Sequence, residues 1–385
     1  MLARRTPPRY PLGMPELPEV ETIARDLRGL VTGARIVGAS SNWPPTLRSH
    51  EPEAFAAGVA GRPIEGIGRR GKQLLLWLGP ASGATEGAAA EPAVLTVHLK
   101  MTGQLFVVAA EAPSDHHVHV VLTLADGREL RFRDMRKFGR MGLYRRDTET
   151  GEPLEGEAVG VLATGAEPLS DDFTARRFAE MLFRRRGRLK TLLMNQDFLA
   201  GIGNIYADEA LWRSRLHPLR DAHTLRPDDI RRLHRALRDV LAEAVERRGS
   251  SVDDYTAPEG DGSMQEHLQV YQRAGEPCER CSRPIRRIVV GGRSTHFCSW
   301  CQRLPAEQRA GAAALLRSAN QAAPAPIRRG SRWTEISGDG ALGRTRDEEA
   351  KAAQRQRRIA ANRKAAATRR AAARGGATAR SGGAA

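Results

Sequence analysis

Apolar side chains recur at Val20, Ile23, Ala24, Leu27 and Leu30, the i, i+3, i+4, i+7 spacing of a helix with one buried face, and predict a helix over 18–30. From residue 35 to 147 the period shortens. Apolar runs at 72–78, 94–99, 104–109, 117–124, 128–133 and 140–146 predict strands, and Asp126-Gly127 between two of them is a hairpin signal. Many short strands parted by turn residues predict an antiparallel sandwich. Residues 79–93, rich in Gly and Ala, read as a flexible loop inserted into it. The helical period returns over 171–248. There Ile230, Leu233, Leu237, Val240, Leu241 and Ala244 line one face behind Pro227-Asp228-Asp229, a favourable helix start. Finally, 285–290, Gly291-Gly292 and 293–297 predict one more hairpin.

These segments predict an α+β chain in five parts. Residues 1–13 form an extension, 14–150 an N-terminal antiparallel β-sandwich with an N-terminal helix, and 151–272 a helical domain. A hairpin unit follows at 273–302. Residues 303–385, dominated by Arg, Ala and Gly, read as a disordered basic tail. Non-specific DNA binding is the favoured role for this tail, and no role at all is the alternative.

Charge narrows the function. The formal net charge is +16 over 385 residues, which points to a polyanionic partner. Residues 302–385 carry 18 Arg and Lys against 6 Asp and Glu, so the rest of the chain is nearly balanced at +4. No apolar run approaches the roughly 20 residues of a membrane span. Residues 1–13 lack the apolar centre of a secretory signal, so the cytoplasm is the expected compartment. They contain arginine and no acid, which leaves an organellar leader open.

All four cysteines fall in two pairs, Cys278-x2-Cys281 and Cys298-x2-Cys301, separated by sixteen residues. That spacing predicts one structural Zn2+ held by four thiolates. The predicted hairpin lies between the pairs with Arg293 at its tip, well placed for an anion.

Met14-Pro15-Glu16-Leu17-Pro18-Glu19 contains a latent nucleophile. If Met14 is the true start and is removed, Pro15 becomes a free secondary amine able to form an iminium with a sugar carbon. An α-amino group titrates near roughly 8, against about 10.4 for a lysine, so more of it is neutral near pH 7. Glu16 supplies a carboxyl for proton transfer. With residues 1–13 attached, Pro15 is an imide nitrogen and cannot attack. Those residues read as a mis-called start or a cleaved leader. The blander reading is that Pro15 and Pro18 merely open a helix.

Lys72 is conspicuous in a chain of 55 arginines and six lysines. A lysine opening an apolar strand beside Arg69 and Arg70 suggests a task for a compact, titratable ammonium, with chance as the alternative. Gly201-Ile-Gly203-Asn204 would bring a backbone close to a phosphate or simply cap a helix. Residues 249–263 are polar, glycine-rich and long enough for a functional or disordered loop.

In this order, over residues 14–302, the motifs resemble the formamidopyrimidine-DNA glycosylase family, bifunctional repair enzymes that excise oxidised purines. The resemblance implies a helix–two-turn–helix in the helical domain. It implies that Pro15 attacks the deoxyribose, that Glu16 assists ring opening, and that β- and δ-elimination then cut both flanking phosphates. Lys72, Asn204 and Arg293 would grip phosphate, Lys72 and Arg293 also assisting elimination. Arg185 and Lys190 would be plain phosphate contacts. Tyr206 matches a family position on the DNA side, and Glu19 and Glu209 are supporting residues.

His98-Leu-Lys100-Met101-Thr-Gly103 and Asp134-Met135-Arg136-Lys137-Phe138-Gly139 resemble the family's two wedge loops. Met101 would fill the vacated stack, Phe138 would pry apart the next step, and Arg136 would bond the widowed base. Without the resemblance, Met101 and Phe138 would be read as core. His98, His117 and Asp134 are DNA-strand or structural positions. Met135 and Lys137 stand where the family usually has proline and arginine, which puts the stiffness of that loop in question. Residues 249–263 resemble the loop that closes over a flipped purine. The implied partner is damaged double-stranded DNA, bound by a monomer associated with the nucleoid. Three other readings remain. One is an endonuclease VIII-like enzyme for oxidised pyrimidines, a branch that generally opens with Met-Pro-Glu-Gly. Another is a damaged-DNA binder without catalysis, if Pro15 is internal. The third is a zinc-ribbon nucleic-acid binder with no enzyme.

Overall fold

The computed structural model describes residues 14–48, 50–84, 86–183, 185–250 and 262–318. The extension 1–13, the middle of the 249–263 loop and the chain from 319 onward lie outside them.

Helix α1 (Leu17–Val31) joins the two main layers. Val20, Ile23, Ala24, Leu27 and Val31 enter the sandwich core. Leu17, at the helix start, enters the core of the helical layer instead. The N-terminal end of α1 is thereby fixed at the junction, where Pro15 and Glu16 lie. Leu30, expected on the buried face, is 38% exposed, and Val31 takes its place.

The sandwich has eight strands: β1 (Ile36–Ser41), β2 (Ile64–Arg70), β3 (Gln73–Leu78), β4 (Ala93–His98), β5 (Gly103–Ala109), β6 (Val118–Leu124), β7 (Arg128–Asp134) and β8 (Arg140–Arg145). They form two antiparallel sheets, ordered β1-β6-β7-β5 and β2-β3-β4-β8. Six strands match the predicted runs. The pattern missed β1, where Ile36 alone is fully buried, and β2, whose sequence Ile-Glu-Gly-Ile-Gly-Arg-Arg does not alternate. The β2 glycines have a reason: a Cβ at Gly66 or Gly68 would run into the Trp77 ring on the paired strand. Helix α2 (Pro52–Val59) was also missed, being short with just Phe55 and Val59 buried.

Lys72 does not open a strand. It occupies the two-residue turn Gly71-Lys72 between β2 and β3, where Arg70 pairs with Gln73 and Gly71 has φ 57°.

The helical layer comprises α3 (Ala175–Phe183), α4 (Leu189–Leu193), α5 (Asn204–Arg213) and α6 (Pro227–Glu246). Leu233, Leu237, Val240, Leu241 and Ala244 of α6 pack into its core as predicted, with Ile230 at the edge. The hairpin β9 (Arg286–Val290) and β10 (Arg293–Phe297) turns through Gly291 and Gly292, whose φ values of 55° and 74° suit glycine. The boundary expected at 302 is too early. Helix α7 (Ala306–Arg317) follows and packs on β9 through Ala312, so 306–317 is helix where a disordered tail was expected. Among the described residues, no helix is long and apolar enough to cross a membrane.

Candidate active site

Glu16 is the hub. Its carboxylate is buried (3% exposed) at the N-terminus of α5, where it accepts hydrogen bonds from the backbone N–H of Gly203 at 2.7 Å and of Ile205 at 2.9 Å. These are unsatisfied donors of a helix start, at the end that favours negative charge. Gly203 is required there, because a Cβ would overlap the Glu16 carboxyl and approach Lys72 Nζ. Burial pushes the Glu16 carboxyl above its ordinary pKa, and the nearby Lys72 ammonium pulls it partly back. Lys72 is shifted the other way. Burial lowers its pKa, Glu16 and Glu19 oppose the shift, and Arg293 and Lys100 add to it. The two groups form a desolvated acid and amine beside Pro15, which is itself buried.

Glu19 supports this arrangement. It accepts from Glu16 N at 2.9 Å, from the Tyr206 hydroxyl at 2.5 Å and from Ser250 N at 2.9 Å. It therefore ties α1 to α5 and to the start of the 249–263 loop. Glu209, also expected to support, is fully buried and accepts from the N–H groups of Gln269, Val270 and Tyr271.

Two expected DNA contacts are corrected. Tyr206 is fully buried and spends its hydroxyl on Glu19, so it positions the carboxylate and presents nothing to a ligand. Lys190 is likewise fully buried, its ammonium donating to Asp208 Oδ1 at 2.7 Å and to the Asn204 carbonyl at 2.8 Å. A lysine without solvent access, paired at this distance, belongs to the scaffold. Asp208 was not singled out in the sequence. Its other oxygen accepts from His296 N at 2.8 Å and faces His296 Nδ1 at 3.2 Å, so α5 holds β10 through it. No local pattern marks Asp208, because its partners lie 18 and 88 residues away.

Arg293 is exposed at the hairpin tip. With Arg185, Arg186 and Arg188 it lines a cleft of about 540 Å³ that, among the described residues, no carboxylate lines. Arg185 is exposed there, as a phosphate contact requires; Arg186 and Arg188 went unremarked in the sequence. Asn204 opens α5 one residue after Gly203 and is half-buried.

The wedge candidates stand on two loops bound to each other. Asp134, 1% exposed, accepts from the Thr102 hydroxyl at 2.5 Å and from Gly139 N at 2.6 Å, clamping 99–102 against 135–139. Asp134 is therefore structural. Phe138 is 47% exposed with the Arg136 guanidinium 5.1 Å from its ring centre. Met101 is half-buried. Neither sits in a core cluster. Lys137 adopts φ 59°, and its ammonium lies 3.9 Å from the centre of the Trp43 ring, an attraction that helps hold the strained turn. Met135 is exposed.

His98 accepts from Lys100 N at 3.0 Å, and burial with the cations Lys100, Lys72 and Arg48 holds its pKa down to about 3. It is neutral near pH 7. His117 is half-buried, its backbone bonded to Asp115 and its carbonyl to Asp134 N. His119, which no local pattern marks, is buried between Asn42 and the Asp134 carbonyl.

The four cysteine sulfurs lie within 4.8 Å of one another. Cys278 to Cys301 is 4.0 Å and Cys281 to Cys298 is 3.5 Å. A tetrahedron with zinc–sulfur bonds of about 2.3 Å has edges of about 3.8 Å, so the donor set fits.

Three family models match in succession: the formamidopyrimidine-DNA glycosylase N-terminal domain over 14–141, the H2TH domain of the same enzymes over 164–256, and a zinc finger found in FPG and IleRS over 275–304. The formamidopyrimidine-DNA glycosylase of Herpetosiphon aurantiacus is 46% identical over 291 residues, covering 75% of this chain and 100% of the relative. That of Bacillus subtilis is 42% identical over 292 residues, 75% of this chain and 99% of the relative. The chain belongs to the formamidopyrimidine-DNA glycosylase family.

Its fold agrees. A crystal structure of the family member from Thermus thermophilus superposes with TM-score 0.63 at 42% identity, covering 75% of this chain and 98% of that one. The Lactococcus lactis Fpg bound to DNA containing N7-benzyl-Fapy-dG gives 0.66 at 34% identity, covering 75% and 100%. The three glycosylase matches fall on the sandwich, the helical layer and the cysteine unit, which is a structural zinc site. Helix α7 begins beyond the last of them.

Proposed function

We propose that this glycosylase excises oxidised purines from double-stranded DNA and then cuts the strand, with Pro15 as the nucleophile. The observation that carries the reading is the Glu16 carboxyl, held at the start of α5 beside Lys72 and one residue after Pro15. Relatives support the substrate class: Lactococcus lactis Fpg has been solved with Fapy-dG-containing DNA, and a related protein with DNA containing carbocyclic 8-oxo-G.

The chemistry follows from the groups present. The Pro15 amine attacks C1′ and displaces O4′, which opens the sugar ring. Glu16, a carboxyl whose pKa burial raises, gives its proton to O4′ as the C1′–O4′ bond breaks; the nitrogen lone pair then expels the base, which leaves with the amine proton, and an iminium joins enzyme to DNA. Loss of a C2′ proton expels the 3′ phosphate, and a second elimination expels the 5′ phosphate. Lys72, Asn204, Arg185 and Arg293 stabilise the phosphates. Arg136, Phe138 and Met101 hold open the space left by the flipped base. The reading requires a free Pro15 amine; the N-terminal family match begins at residue 14, with Pro15 the second residue matched.

Borohydride trapping tests this. A chain that begins at Pro15 should form a covalent adduct with duplex containing 8-oxoguanine. A chain retaining Met1 and everything after it should bind the same duplex and form none. Equal trapping by both would refute the proline nucleophile. An oxidised-pyrimidine duplex trapped faster than the purine one would move the enzyme to the other branch.

A further inference from the structure

Helix α7 turns Gln308, Ala312, Leu315 and Leu316 to one side, at i, i+4, i+7 and i+8. The apolar three pack with Leu219, Ile288, Val290 and Phe297. Gln308 bridges away from the hairpin. Its Oε1 accepts from Asp221 N at 2.9 Å, and its Nε2 donates to Thr224 Oγ1 at 3.0 Å. Both partners lie in the connection between α5 and α6. One side of α7 therefore fastens the hairpin to the helical layer.

The strand register shows which face is held. Arg293 pairs with Val290, and Thr295 with Ile288, so these four share one face of the ribbon, and α7 packs on its apolar members. The opposite face carries His296, which Asp208 of α5 holds. The cysteine pairs flank the open end of the hairpin, and Arg293 stands at the far end. A two-stranded ribbon is marginal by itself. Five residues at about 3.3 Å each make a lever of about 16 Å. A tilt of about 4° at its base moves the tip by about 1 Å, a misplacement able to cost up to about 100-fold in rate.

We propose that α7 is a positioning element for Arg293, with Gln308 as its positioning residue, so that the orientation of the phosphate-gripping arginine depends on a segment beyond the family's zinc finger. This rests on the glycosylase reading only for what Arg293 does once DNA is bound.

A double-mutant cycle in the full-length chain tests it, with affinity measured for duplex containing a tetrahydrofuran abasic analogue. Zinc content is measured in parallel. Gln308→Ala should weaken binding by about threefold to tenfold, the scale of one net hydrogen bond, with zinc unchanged. In an Arg293→Ala background the same change should cost less than about twofold, since groups that act together do not add. Ala312→Asp, which lifts the helix, should show the same dependence on Arg293 with a larger loss. Gln308→Glu retains the acceptor for Asp221 N and should recover about half of the loss or more. Equal losses with and without Arg293 would overturn the proposal. So would the absence of any loss from both Gln308→Ala and Ala312→Asp. If Ala312→Asp sheds zinc, the Gln308 cycle alone decides. Failure of borohydride trapping by a chain that still binds the abasic duplex would sink the nucleophile and leave this cycle intact.

Discussion

Gly203→Ala is the smallest change that should disable the site without touching a reactive group. Gly203 has φ −128° and ψ −152°, extended backbone that alanine adopts freely, so no backbone strain arises. The added methyl instead overlaps the Glu16 carboxyl and crowds Lys72 Nζ. Neither neighbour is a loose surface chain. The carboxyl is fixed by N–H donors at 2.7 and 2.9 Å, so it must swing off one or both of them, or the start of α5 must shift. Each such hydrogen bond contributes about 0.5–1.5 kcal/mol net, or about 1.5–3 kcal/mol to an ionised carboxyl, so losing one costs about 1–3 kcal/mol. At about 1.4 kcal/mol per tenfold, base release should slow by about 5- to 150-fold. The assay is single-turnover release of 8-oxoguanine from duplex, with zinc content and melting temperature recorded to confirm the fold. Gly29→Ala is the control, since a methyl there meets nothing and α1 should gain up to about 1 kcal/mol. If Gly203→Ala releases base within about threefold of the parent, Glu16 is not held as described and the argument fails.

Phe138→Ala and Met101→Ala should melt near the parent temperature, because neither side chain belongs to a core cluster, yet excise from intact duplex at least about tenfold more slowly than they cut a pre-formed abasic site; cooperative unfolding of both variants would restore the core reading. His98 has a depressed folded pKa, so the stability it contributes is present above its unfolded value near 6.5 and is lost as pH falls toward about 3. The drop in melting temperature between pH 7 and pH 4.5 should therefore be smaller in His98→Gln than in the parent, and an equal drop would show that His98 is not held neutral.

The sequence by itself determined the parts that depend on local spacing. The zinc site needs two Cys-x2-Cys turns, and its ligands are 23 residues apart at most, so the donor set was legible before any fold. The hairpin with Arg293 at its tip was legible because two glycines end one apolar run and precede the next. The order of motifs from Pro15 to Cys301 was enough to show the family resemblance, and α1, α6 and six strands followed from periodicity. Tertiary structure decided what each charged group does. Lys190 and Tyr206 look like DNA contacts in the chain, yet both are fully buried, because Asp208 and Glu19, 18 and 187 residues away in sequence, meet them in the interior. A side chain's polarity says that it needs a partner, and not whether protein or ligand supplies it. The same limit hid α7, whose inward spacing at Gln308, Ala312, Leu315 and Leu316 is weak in an Ala-rich tract until the hairpin and Leu219 provide a surface to bury it. It also hid β2, whose glycines answer to a tryptophan on the next strand and to nothing in their own.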